Sequence, residues 1–154
     1  MKPMSLLLLI FLSACGLVHV EIRDRETKKK RKEEIVRQER VDIKLPLPVK
    51  GKPEKTERGY YIKSSCDEFF RSISDGRVLY SGNDIKGYGW VVMVESEEGY
   101  IIVYAKADST LVRRGEAIRR NQVLGKVGKG GEDCGILFEV RDREGKPISF
   151  TPVL

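Results

Sequence analysis

The sequence predicts an all-β domain set behind an export signal and a charged tether. Three observations carry that expectation. Short β-branched and aromatic runs recur in the C-terminal part, with turn signals roughly every 8–12 residues. No segment there repeats its apolar residues at helical spacing. Counted along the chain, residues 45–154 hold 18 Lys/Arg against 16 Asp/Glu, a near-neutral balance suited to a folded domain.

The whole chain has 154 residues and a formal net charge of +6, which allows one domain of ordinary size plus appendages. Met1 to Ala14 reads as a signal segment, with Lys2 ahead of the apolar run Leu6 to Leu12. That run is far short of the ~20 apolar residues a membrane-spanning helix needs. Leu12-Ser13-Ala14-Cys15 resembles the bacterial lipobox, which implies cleavage before Cys15 and lipidation of its thiol. Gly16 rather than an aspartate follows it, so the expected address is the outer membrane, facing the periplasm. Acyl chains contribute ~0.8 kcal/mol per buried methylene, enough in combination to hold the protein at a bilayer.

Residues 15–44 form the expected linker. From Glu21 to Lys44 there are ten Lys/Arg and seven Asp/Glu, with Lys28-Lys29-Lys30-Arg31-Lys32 as the densest run. So few apolar residues cannot build a core. Export removes nucleic acid as a partner, and lipid headgroups or acidic wall polymer are the anions such a run would meet. Leu45-Pro46-Leu47-Pro48 closes the linker, because the prolines stop a helix and favour extended backbone.

Within 45–154 the first clear strand is Gly76 to Gly82. Trp90 to Glu95 and Tyr100 to Ala105 flank Ser96-Glu97-Glu98-Gly99, which reads as a hairpin. Val123 to Gly128 and Ile136 to Val140 add two strands. Trp90, Tyr100 and Tyr104 alternate with β-branched residues and are expected in the core. Gly125 to Gly131 lacks the Ser/Thr and following helix of a phosphate loop, so its glycines are expected to make turns. Arg113, Arg114, Arg119 and Arg120 are expected at solvated strand ends, or facing an acidic partner.

Several motifs together resemble the LytM or lysostaphin-type metallopeptidase domain. They are Asp75-Gly76-Arg77-Val78, Gly87-Tyr88-Gly89, Val103-Tyr104-Ala105-Lys106, Leu111 to Glu116, Asn121 to Gly125 and Leu137-Phe138-Glu139-Val140. The resemblance covers about 110 residues and implies a duplicated hybrid motif, a barrel-sandwich β fold. Active members hold zinc with a His-x3-Asp pair and the second His of His-x-His, and place another His after Tyr-Ala. Those frames fall here on Glu57 and Tyr61, on Gly135 and Leu137, and on Lys106. Catalytic zinc needs three ligands plus an open position. The chain's single histidine, His19, lies outside the domain, so no metal, cofactor or peptidase activity is expected.

The resemblance narrows to degenerate LytM-domain lipoproteins, the NlpD-like murein hydrolase activators. It implies a non-catalytic protein that binds and switches on a cell-wall amidase, or binds peptidoglycan, during cell separation. The vacated positions Glu57, Tyr61, Lys106, Gly135 and Leu137 then become a candidate partner groove. In the same alignment Cys66 and Cys134 flank that groove, and an oxidising compartment permits a bridge between them. The competing readings are an endopeptidase with an unorthodox site around Glu57 and Tyr61, and a structural wall-binding lipoprotein. An efflux adaptor shares the lipobox but needs a helical hairpin for which Tyr100 to Leu124 has no room.

Overall fold

The computed structural model describes residues 43–154; the signal segment, Cys15 and the tether up to residue 42 lie outside them. The described residues contain eleven strands and no helix. In order they are β1 (Ile43–Pro46), β2 (Lys52–Lys55), β3 (Gly59–Ser64), β4 (Phe69–Arg71), β5 (Gly76–Gly82) and β6 (Trp90–Ser96). There follow β7 (Ile101–Thr110), β8 (Ala117–Ile118), β9 (Val123–Gly130), β10 (Asp133–Arg141) and β11 (Phe150–Val153). Nine strands make one sheet in the order β2-β3-β10-β9-β7-β6-β5-β8, with β4 joined to β9, while β1 and β11 pair in parallel.

The β6–β7 hairpin follows directly from its sequence. Val94 faces Ile102 and Glu95 faces Ile101 across the pair. Gly99 supplies the φ of +89° that the loop requires, and the Gly99 amide donates to the Ser96 carbonyl at 2.9 Å. β9 and β10 join through Gly131-Glu132, since Gly130 faces Asp133, and Gly131 sits at φ +72°.

β7 is long because, besides pairing with β6, it serves two partners along its other edge. Ile101 to Ala105 pair with β10, and Ala107 to Thr110 pair with β9. The changeover falls at Lys106, whose φ is +57°. Gly128 stands opposite the bend, where a Cβ would overlap the Lys106 carbonyl oxygen. Gly125 and Gly128 therefore allow close strand approach inside β9, which corrects the expectation of turns for those two glycines, while Gly131 makes the expected turn.

One face of the sheet holds the main core, built on a row of rings. Phe70 stacks on Tyr104 at 5.7 Å, Tyr104 on Phe138 at 5.9 Å, and Phe138 meets Phe150 edge-on at 5.2 Å between centroids. The row ties β4, β7, β10 and β11 together. The buried Tyr104 hydroxyl accepts the Ile73 amide at 3.1 Å, and burial pushes its pKa up to about 12. Trp90 departs from expectation: it opens β6 at a register shift and remains 37% exposed. Tyr100 packs at the core margin, half-buried.

Candidate functional site

The other face of the sheet carries the positions of interest. Side chains alternate along a strand, so residues spaced by two share a face. Core residues Ile62, Ile136, Phe138 and Tyr104 face one way. Tyr61 and Leu137 therefore share the opposite face and stand directly across from each other. Leu137 also faces Ala105 of β7 and packs with Val91, Val103 and Ala105 in a small second cluster with Met93, Tyr80 and Tyr88. This part of the sheet face is thus apolar.

Tyr61 closes one side of this patch. Its ring lies against Gly135, where a Cβ would sit 3.1 Å from the ring's Cζ. Its hydroxyl reaches Gly130, where a Cβ would sit 2.8 Å away. Burial raises the Tyr61 pKa first, and the negative charge of Asp133 adds to it, so the phenol stays protonated. Beside it, Lys63 bridges Asp133 at 2.9 Å and Glu54 at 3.2 Å, and hydrogen bonds to both carboxylates raise its pKa. Cys134 faces Ser64 in the next pair, and its disulfide to Cys66 spans 5.1 Å between Cα atoms. The bridge fastens the β3–β4 loop to the start of β10, one residue before Gly135.

On the other side, Glu139 continues the Leu137 face at 2% exposure. Its carboxylate accepts from the Arg141 guanidinium at 2.7 Å, and Arg141 donates to the Tyr88 hydroxyl at 3.1 Å. A buried carboxylate without such a partner would be costly. The sequence places Glu139 in a motif but gives neither Glu139 nor Arg141 a role. Their i, i+2 spacing next to Leu137-Phe138 was the signal available.

Lys106 lies at the groove's edge and is exposed. Its amide donates to the Tyr88 carbonyl at 2.6 Å, which holds the Gly87-Tyr88-Gly89 turn against the bend of β7. A lysine in the left-handed region costs on the order of 1 kcal/mol or more, and such strain concentrates at functional positions. Glu57 is placed differently from the rest. It stands on the exposed β2–β3 turn, where the Gly59 amide donates to Thr56 Oγ1 at 3.1 Å, and it lines a small hollow with Pro147 and Ser149. Tyr61, Gly135 and Leu137 are brought together along β3 and β10, Lys106 directly follows Ala105, which faces Leu137, and Glu57 stands apart.

Zinc does not fit this set. Leucine and glycine offer no donor, the phenol of Tyr61 is held neutral, and the lysine is a cation. A Cβ at Gly135 would overlap the Ile62 carbonyl oxygen of β3, so a histidine there would require a strand to move. No group of three or more His, Cys, Asp or Glu able to hold a metal occurs among the described residues.

Comparison with known proteins agrees with this architecture. The family model described as Peptidase family M23 matches residues 55–150. The murein hydrolase activator NlpD of Escherichia coli is 30% identical over 105 residues, covering 66% of this chain and 28% of that protein. A lipoprotein NlpD/LppB homolog of Pseudomonas aeruginosa is 36% identical over 92 residues, covering 59% of this chain and 31% of that protein. The chain thus spans less than a third of these relatives' length. Among solved structures, Helicobacter pylori Csd3 superposes with a TM-score of 0.59 at 25% identity, over 70% of this chain and 34% of that one. The fold, the motif positions and the match over residues 55–150 together place this chain in peptidase family M23.

Proposed function

We propose that this protein is a non-catalytic lipoprotein of the cell envelope that binds a cell-wall amidase through the vacated groove and switches it on. Its expected setting is the outer membrane, with the domain in the periplasm. The observation that carries the reading is a sheet face on which Tyr61, Gly135 and Leu137 meet without a donor set for zinc, in a domain that matches the family over residues 55–150. A protein that keeps a groove but fills it with apolar side chains has a surface for binding, with no group to activate water. Its relatives' names, murein hydrolase activator and lipoprotein, support the same assignment.

The groove offers a partner an apolar floor at Leu137 and Met93 with the Lys106 cation at its edge. Apolar burial supplies affinity and the edge charge accelerates encounter. The test is binding of the purified chain to a cognate amidase, with Leu137→Glu and Lys106→Glu as groove variants. Leu137→Glu is expected to weaken binding at least tenfold, about 1.4 kcal/mol, by placing a charge on the apolar floor. Lys106→Glu is expected to slow association and lessen its salt dependence. Undiminished binding by both variants would move the partner surface elsewhere.

A further inference from the structure

Away from the groove, an open trough of about 980 Å3 lies where the chain enters the domain, and Pro46 of β1 lines it. Leu47, Val49 and Ile73 contribute apolar walls. Six large apolar side chains are exposed among the described residues, and three of them, Phe69, Val153 and Leu154, line this one trough. Its charged lining side chains are Lys50, Arg71 and Arg120 against the single acidic side chain Glu68. Arg71 spends part of its guanidinium on the Asn121 carbonyl at 2.9 Å. Lys50 and Arg120 make no ion pair among the described residues. A second hollow shares Pro46, Ile73 and Arg120 with the trough and adds one cation, Lys44, and one carboxylate, Glu98.

We propose that this end of the domain seats on an anionic phospholipid surface. Exposed apolar side chains ringed by cations are the pattern of a peripheral membrane contact: rings and branched chains enter the headgroup boundary while lysine and arginine meet phosphate. Neither feature alone selects a bilayer. An apolar trough suits many occupants, and a cationic rim suits any anion. Their coincidence at Phe69, Val153, Lys50 and Arg120, beside the strand through which an N-terminal anchor would pull, is what a bilayer surface fits. The proposal rests on the reading of Cys15 as a lipid anchor, and seating would hold the trough end of the domain down.

The test uses the lipidated full chain in vesicles of brominated phosphatidylcholine, with or without brominated phosphatidylglycerol. Trp90 is the chain's one tryptophan, so a Trp90→Phe background leaves a single reporter when Phe69→Trp is introduced. Leu79→Trp in the same background reports from β5, which does not line the trough. Fluorescence quenching at residue 69 and not at residue 79, only with phosphatidylglycerol, is expected. Lys50→Gln with Arg120→Gln should lower the docked-to-undocked ratio about 25-fold, from roughly fivefold per cation. Quenching that is equal at both positions, or indifferent to phosphatidylglycerol, overturns the proposal. So does co-flotation with the vesicles without quenching, which leaves the anchor standing. A chain that does not co-float with vesicles removes the anchor, and the proposal with it.

Discussion

Breaking the Cys66–Cys134 bridge should cost this domain most of what a disulfide can supply. The perturbation is Cys66→Ser with Cys134→Ala, the latter because Cys134 is buried at 4% exposure. The bridge closes a loop with a sequence separation of 68, and chain entropy for a loop of that length gives about 4 kcal/mol. That is roughly a thousandfold in the unfolding equilibrium. Urea unfolding followed by circular dichroism reads it directly, on chain from residue 15 carrying Cys15→Ser so that no lipid interferes. With a slope of about 1.5 kcal/mol per molar urea, the midpoint should fall by about 2–3 M. Wild-type protein under a thiol reductant should give the same midpoint as the double variant. A fall of less than about 0.5 M would refute the reasoning, because the loop would then gain nothing from closure.

Three further outcomes follow from individual residues. Tyr104 titrates near 10 when unfolded and about 12 when folded, so the folded state keeps a proton that the unfolded chain releases between those values. Stability is full below pH 10 and falls as pH rises toward 12, by about 2–3 kcal/mol in all, and Tyr104→Phe should flatten that slope in alkaline denaturation curves. Gly135→Ala should destabilise by about 2 kcal/mol or more in thermal unfolding, since the new methyl would overlap the Ile62 carbonyl oxygen; a change under about 0.5 kcal/mol would contradict the close approach of β10 and β3. Lys106→Gly should cost no stability, because glycine adopts φ near +57° freely, yet it should slow amidase association through loss of the cation.

How much of this was legible in the sequence depends on whether a feature is local. The β6–β7 hairpin and the strands Gly76–Gly82, Val123–Gly130 and Asp133–Arg141 declare themselves by β-branched runs and turn residues. β1 and β11 do not. Ile43–Pro46 is stabilised by a parallel partner more than a hundred residues away, and Pro46 fits because β1 is bonded on one side only. β4 is three residues long and owes its existence to β9. Trp90 looked like core because alternation marks faces, but a register shift at the start of β6 leaves its ring in solvent.

The site divides along the same line. That the domain holds no histidine is visible in residue types alone. What surrounds the expected frame is a matter of three-dimensional packing: the Tyr61 ring laid on Gly135, and the Glu139–Arg141–Tyr88 cluster beside Leu137. Glu57 shares a motif frame with Tyr61 in the sequence yet stands on a turn beside Pro147, because the β2–β3 hairpin reverses between Thr56 and Gly59. Spacing located the frame, and backbone geometry decided which members meet.

The measurement that bears most directly on the central claim is dye release from labelled sacculi. Three reactions are compared: the chain alone, a cognate amidase alone, and the two together. The account predicts release above the amidase's own rate only in the combined reaction, diminished by Leu137→Glu. Release by the chain alone would contradict it, since a domain without a histidine would then be cutting the wall.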